Sequence, residues 1–119
     1  MTDNVYLNGE YLPASDAGIS ILDRGFMFGD GVYEVIPVYA GKVFREQEHL
    51  ARLEYSLGAV KIPSPITRKE WSGIFDQLLK LNTGDGDASI YLQVTRGVMD
   101  VRDHAFTADM QPTVLVMCR

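Results

Sequence analysis

One cysteine, Cys118, and two histidines, His49 and His104, are all the thiol and imidazole groups in this 119-residue chain. A single thiol cannot close an internal disulfide, and no Cys/His cluster has the spacing of a zinc site, so disulfide and zinc scaffolds are excluded. No stretch reaches 18 consecutive apolar residues and the first residues form no basic, apolar leader. We therefore expect neither a transmembrane helix nor a secretory signal, and a cytoplasmic location. Clustered positive charge is also missing. The net charge is −5, and residues 1 to 34 carry Asp3, Glu10, Asp16, Asp23, Asp30 and Glu34 against Arg24 alone, while the remainder is balanced. Without a basic stripe the chain has no footprint for a nucleic-acid backbone. There is no Gly-x-Ser-x-Gly elbow, and neither histidine is closely followed by a serine or cysteine nucleophile, so acyl transfer has no support.

What is present fits a single globular domain over residues 1–119, with 46% hydrophobic and 23% charged residues and no internal repeat. The segment "DRGFMFGDGVYEV" (23–35) has more glycine than a surface turn needs, and its spacing matches neither the Rossmann nor the Walker pattern. Such density predicts a loop or partly irregular segment whose backbone passes close to something. Upstream, "NVYLNGEYLP" reads as two strands about an Asn-Gly turn, and "VYEVIPVYAGKVFR" as a second hairpin in which Pro37 marks an edge or a bulge. Leu50, Leu53, Leu57 and Val60 make one helical stripe, and Gly58 and Pro63 end it. Thr67 and Glu70 have capping-box spacing ahead of Trp71, Ile74, Phe75, Leu78 and Leu79, a second helix. "ASIYLQVTRG" and "PTVLVMC" close the chain as strands around a polar, irregular segment. Strands at both ends with helices between predict an α+β fold: a two-layer sandwich, a mostly antiparallel sheet covered by two helices. The chain stops one residue past an apolar strand, as a natural domain could and as a piece cut from a longer protein would.

Three groups of residues are candidates for chemistry. Arg52 lies some way round the helix from the leucine stripe, roughly 120° at 100° per residue, so it is either a solvated partner of Glu48 or a guanidinium that holds an anion such as phosphate. Arg102 and His104 are two apart, so in extended chain they face one side and suit a carboxylate; the alternative is an exposed polar loop. Tyr33 and Val35 share a strand face, and the tyrosine hydroxyl either completes that receptor or simply packs across strands.

"LDRGFMFGDGVYEVIPVYAGKVFREQEHLARL", followed by "YLQVTRG" and "RDHAF", resembles the N-terminal domain of the class IV, fold-type IV, pyridoxal-phosphate aminotransferases, closest to D-amino-acid aminotransferase. The resemblance covers nearly the whole chain, with four blocks in order. It implies a pyridoxal 5'-phosphate cofactor, its phosphate held by Arg52. It also implies a substrate α-carboxylate received by Tyr33, Arg102 and His104 beside Val35, and a homodimer in which the Arg-x-His pair comes from the partner subunit. Amino transfer needs a lysine that joins the cofactor aldehyde and moves the proton. Lys42, Lys61, Lys69 and Lys80 all read as solvated; the resemblance puts the reactive lysine in a second, larger domain absent from this chain, so the 119 residues alone are expected to be inactive. 4-Amino-4-deoxychorismate lyase and branched-chain aminotransferase share the fold, and the Arg-x-His pair argues for the D-amino-acid type. A non-catalytic binding or assembly module is the alternative from another class.

Overall fold

The computed structural model describes residues 3–119. Six strands form one sheet: β1 (Asn4–Leu7), β2 (Glu10–Pro13), β3 (Gly31–Tyr39), β4 (Lys42–Val43), β5 (Ala88–Thr95) and β6 (Thr113–Cys118). Their order is β2-β1-β6-β5-β3-β4, and every neighbouring pair is antiparallel. Two long helices, α2 (Glu46–Val60) and α3 (Arg68–Asn82), cover one face, α2 over β3 and α3 over β1 and β6. This is the expected two-layer α+β arrangement. Sheet neighbours β1 and β6 come from opposite ends of the chain, which the element order alone does not reveal.

The local chemistry follows the sequence closely. Asn8 and Gly9 both have positive φ, 50° and 97°, as a tight hairpin turn of the favoured hand requires. The capping box of α3 is complete: Thr67 Oγ1 accepts from the Glu70 N–H at 3.2 Å, and Glu70 Oε1 accepts from the Thr67 N–H at 3.3 Å. Leu50, Leu53 and Leu57 of α2 and Trp71, Ile74, Phe75, Leu78 and Leu79 of α3 are buried. Val60 is not part of that stripe; it lies partly exposed at the helix end, where Lys61 takes a left-handed conformation and closes the helix. β4 pairs only with Val38 and Tyr39, so the rest of β3 has a strand on one side only. Pro37, which has no N–H to donate, sits on that edge.

The segment expected to be a loop or partly irregular is the second of these, because Arg24–Phe28 forms a short helix, α1. Asp23 caps it by accepting from the Gly25 N–H at 2.7 Å. What the glycine-rich chain passes close to is the end of β5: a methyl group on Gly25 would overlap the Thr95 side chain. Backbone-to-sheet packing, not a ligand, requires that glycine.

Phe75 is fully buried and Phe26 is 76% exposed. Phe75→Ala is expected to lower unfolding free energy by about 3–5 kcal/mol, and Phe26→Ala to change it by less than ~0.5 kcal/mol. Urea titration of the two variants checks the assignment of inner and outer faces.

Candidate functional site

The pairing of β3 with β5 distributes the candidate residues. Glu34, Ile36 and Val38 point to the helix layer, while Tyr33 and Val35 point to the uncovered face. There they line up with β5 and β6 in two rungs, Tyr33–Gln93–Leu115 and Val35–Tyr91–Met117. Tyr33 is 62% exposed, with its ring stacked on Tyr91 at 5.8 Å. The shared face of Tyr33 and Val35 is as the alternation predicted. Val35, Tyr91 and Met117 also border a cavity of about 500 Å³ on that face. A second cavity, about 360 Å³, runs from Gln93 and Leu115 to Gly25, Thr95 and Thr113.

Glu34 is a carboxylate on the core-facing side of a strand, with a side chain only 3% exposed. Left unpaired, such a charge would be strongly destabilising, and helix α2 supplies two partners. Arg52 donates from Nε to Oε2 at 2.8 Å and from Nη2 to Oε1 at 2.9 Å. His49 Nδ1 lies 2.7 Å from Oε1; because an ionised carboxylate only accepts, the proton sits on Nδ1. Burial pushes the Glu34 carboxyl up, but the hydrogen bonds and charges of Arg52 and His49 outweigh it and hold Glu34 below the usual carboxylate range. Arg52 is raised in turn, first by its hydrogen bonds to Glu34, then by that charge, with a further contribution from Tyr33.

Glu34, not Glu48, is therefore the partner of Arg52. The consequence is chemical. Glu34 fixes one side of the guanidinium while the side chain stays 66% exposed and Nη1 remains available. The guanidinium is thereby pre-oriented beside a shallow cavity of about 280 Å³, lined also by Arg45, Glu48 and His49, and can donate to an anion. The four lysines are all exposed; Lys42, opposite Tyr39 on the two-residue strand β4, is on the same face of the sheet as Tyr33 and Val35, at its far edge.

Arg102 and His104 lie in the irregular segment between β5 and β6, both exposed. They meet on one aromatic ring: the Arg102 guanidinium carbon is 5.0 Å from the Phe28 centroid, and the His104 ring is 4.7 Å from it. The structure thus brings these two together and sets them against α1. Among the described residues no hydrogen bond joins either to Tyr33.

Glu34, His49 and Phe28 were not singled out from the sequence. A signal existed for Glu34, which alternates with Ile36 and Val38 and so had to be a buried charge in need of a cation. No local pattern linked Phe28 to residues more than 70 positions away. Among the described residues, no group of His, Cys, Asp and Glu is arranged to hold a metal ion, and no helix is long and apolar enough to cross a membrane.

Because the Glu34 pKa is depressed from its ordinary 4.5 in the folded state, its stabilising contribution is complete above about pH 4.5 and is lost as pH falls through the lower folded value. Glu34→Gln is therefore expected to be less stable at neutral pH and to lose less further stability between there and about pH 3. Urea unfolding at stepped pH reads this directly; parallel pH profiles for the two proteins would contradict it.

Comparison with known proteins gives the family. The amino-transferase class IV family model matches residues 31–119. A D-alanine aminotransferase of Staphylococcus haemolyticus is 36% identical over 116 residues, covering 97% of this chain and 40% of that protein. The structure of a branched-chain amino acid aminotransferase from Escherichia coli matches with a TM-score of 0.88 over 100% of this chain and 41% of that one; at 23% identity it shows the fold alone. A 4-amino-4-deoxychorismate lyase from Pseudomonas aeruginosa matches at 31% identity with a TM-score of 0.73, covering 95% of this chain and 38% of that one. The chain spans about two fifths of the length of the curated relatives it matches. With three quarters of its residues under the family model and its fold shared throughout, the chain belongs to the class IV aminotransferase family.

Proposed function

We propose that residues 1–119 are the small N-terminal domain of a pyridoxal-phosphate-dependent enzyme that moves an amino group between a D-amino acid and a 2-oxo acid. The observation that carries the substrate class is the convergence of Arg102 and His104 on Phe28. An arginine fork and an imidazole donor that contact the same ring suit a carboxylate, the group that amino acids and 2-oxo acids share. Similarity to proteins named D-alanine aminotransferase supports the D-amino-acid assignment over the branched-chain and lyase alternatives.

In this reading, the open edge of Arg52 holds the cofactor phosphate, with Glu34 and His49 fixing the guanidinium from behind. Bound pyridoxal phosphate supplies an electron sink for the carbanion formed at the substrate Cα. Tyr33, Arg102 and His104 bind the α-carboxylate and so fix the direction in which Cα is presented, while Val35 walls the same space. The lysine that moves the proton lies outside residues 1–119, in keeping with the exposure of Lys42, Lys61, Lys69 and Lys80. Tyr33 stacks on Tyr91 while Arg102 and His104 rest on α1. A homodimer in which the Arg-x-His pair serves the partner's Tyr33 joins these two supports. A cytoplasmic location belongs to the same proposal.

The test uses the full-length protein with pyridoxal phosphate. D-Alanine and 2-oxoglutarate are expected to give pyruvate, L-alanine is expected to give none, and the 119-residue piece alone is expected to be inactive. Arg102→Ala should lower kcat/KM at least about 30-fold, the factor matching ~2 kcal/mol for removing one member of a hydrogen-bonded charge pair. Pyruvate released from 4-amino-4-deoxychorismate without an amino acceptor, and none from D-alanine, would contradict the proposal.

A further inference from the structure

Arg24 is a charged residue only 5% exposed, and it makes no contact with Tyr33 or Arg52 that would explain its burial. Its donors go elsewhere. Nε donates to Asp30 Oδ2 at 2.8 Å, Nη1 to the carbonyl of Asp103 at 2.7 Å and to Met99 Sδ at 3.1 Å, and Nη2 to the carbonyl of His104 at 3.0 Å. Two of those acceptors are backbone atoms of the Arg102-Asp103-His104 segment itself.

The same guanidinium sits inside an alternating column of cations and rings. Arg96 is 3.8 Å from the Phe106 centroid, Arg24 is 5.3 Å from Phe106 and 4.8 Å from Phe28, and Arg102 is 5.0 Å from Phe28. Arg96 is anchored in turn, donating to Asp30 at 2.7 and 3.2 Å and to the carbonyls of Val60 and Lys61 at 2.7 and 3.1 Å. The column therefore runs from the end of α2 to Arg102. A buried arginine is costly to desolvate, and an apolar side chain of similar volume often serves stability as well. What an apolar side chain could not do is hold two carbonyls of an otherwise irregular segment at fixed positions.

We propose that Arg24 is a positioning residue for the carboxylate receptor: by binding the Asp103 and His104 carbonyls and seating Phe28, it sets where Arg102 and His104 stand. This rests on the receptor reading given above. Because orientation of binding groups governs their yield, a loosened segment weakens carboxylate binding more than it alters the chemistry that follows.

Arg24→Lys separates the roles. The ammonium can still pair with Asp30 but cannot hold both carbonyls at once. In the full-length protein, Arg24→Lys is expected to raise KM for D-alanine and 2-oxoglutarate about tenfold with kcat within about twofold. Amide hydrogen exchange at 99–106 should quicken while β5 and β6 keep their protection. Arg24→Met, which loses the charge as well, should show the same pattern with a larger KM change. Unchanged exchange at 99–106 in Arg24→Lys overturns the inference, as does a uniform rise over all strands. Faster exchange with unaltered KM, where Arg102→Ala does impair kcat/KM, also overturns it and leaves the receptor reading intact. If Arg102→Ala itself leaves kcat/KM unaltered, the receptor reading falls and this inference with it.

Discussion

Eight consecutive residue pairs, from Gly31 with Thr95 to Val38 with Ala88, fix β3 against β5, and the two faces of the domain follow from that register. Side chains alternate along a strand, so a slip of one residue would send Tyr33 and Val35 into the core and Glu34, Ile36 and Val38 out to solvent. The apolar residues make that slip prohibitive. Ile36, Val38, Ile90, Leu92, Val94 and Val116 are all fully buried beneath the helices. Tyr33 is thus held at the open face by hydrophobic residues on the opposite side of the sheet.

The same register forces Glu34 inward, and much of the functional architecture is the response to buried acid. Glu34 recruits Arg52 and His49 from α2. Asp30, one turn of chain earlier, lies between Arg24 and Arg96, which overcome the upward push of its burial and hold its pKa low. Asp23, fully buried, accepts from the Gly25 N–H and from the Thr113 hydroxyl at 2.6 Å. Half of the acidic residues that give the first 34 residues their excess charge are therefore internal fasteners. They tie α1 to β6, the β5 end to α1, and α2 to β3. Each would be destabilising alone, and each is paired or hydrogen-bonded.

Elements with a local signal were legible in the sequence. The Asn-Gly turn, the capping box of α3 and the alternation of β3 all act within a few residues, and the structure has them where the pattern puts them. Arg52 could be placed off the core face by helical geometry, but its partner could not, because Glu34 is 18 residues away on a strand whose docking depends on the whole sheet. The α1 helix was hidden because it is five residues long and glycine-bearing, and its cap is as much a tertiary bond to Thr113 as a local one. The arginine and aromatic column joins residues 24, 28, 96, 102 and 106, and no periodicity connects them.

The proposed carboxylate receptor has two parts, and in this chain they belong to different supports: Tyr33 to the sheet face, Arg102 and His104 to α1 and the column beneath it. The account requires that the parts meet across two subunits. Subunit complementation in the full-length protein tests this most directly, using Tyr33→Ala, at an exposed position, and Arg102→Ala. Each variant alone should be nearly inactive toward D-alanine. Unfolded and refolded together in equal amounts, they should recover about a quarter of wild-type activity, since half of the dimers are mixed and each mixed dimer has one intact site. Recovery no greater than the average of the two variants would contradict the account.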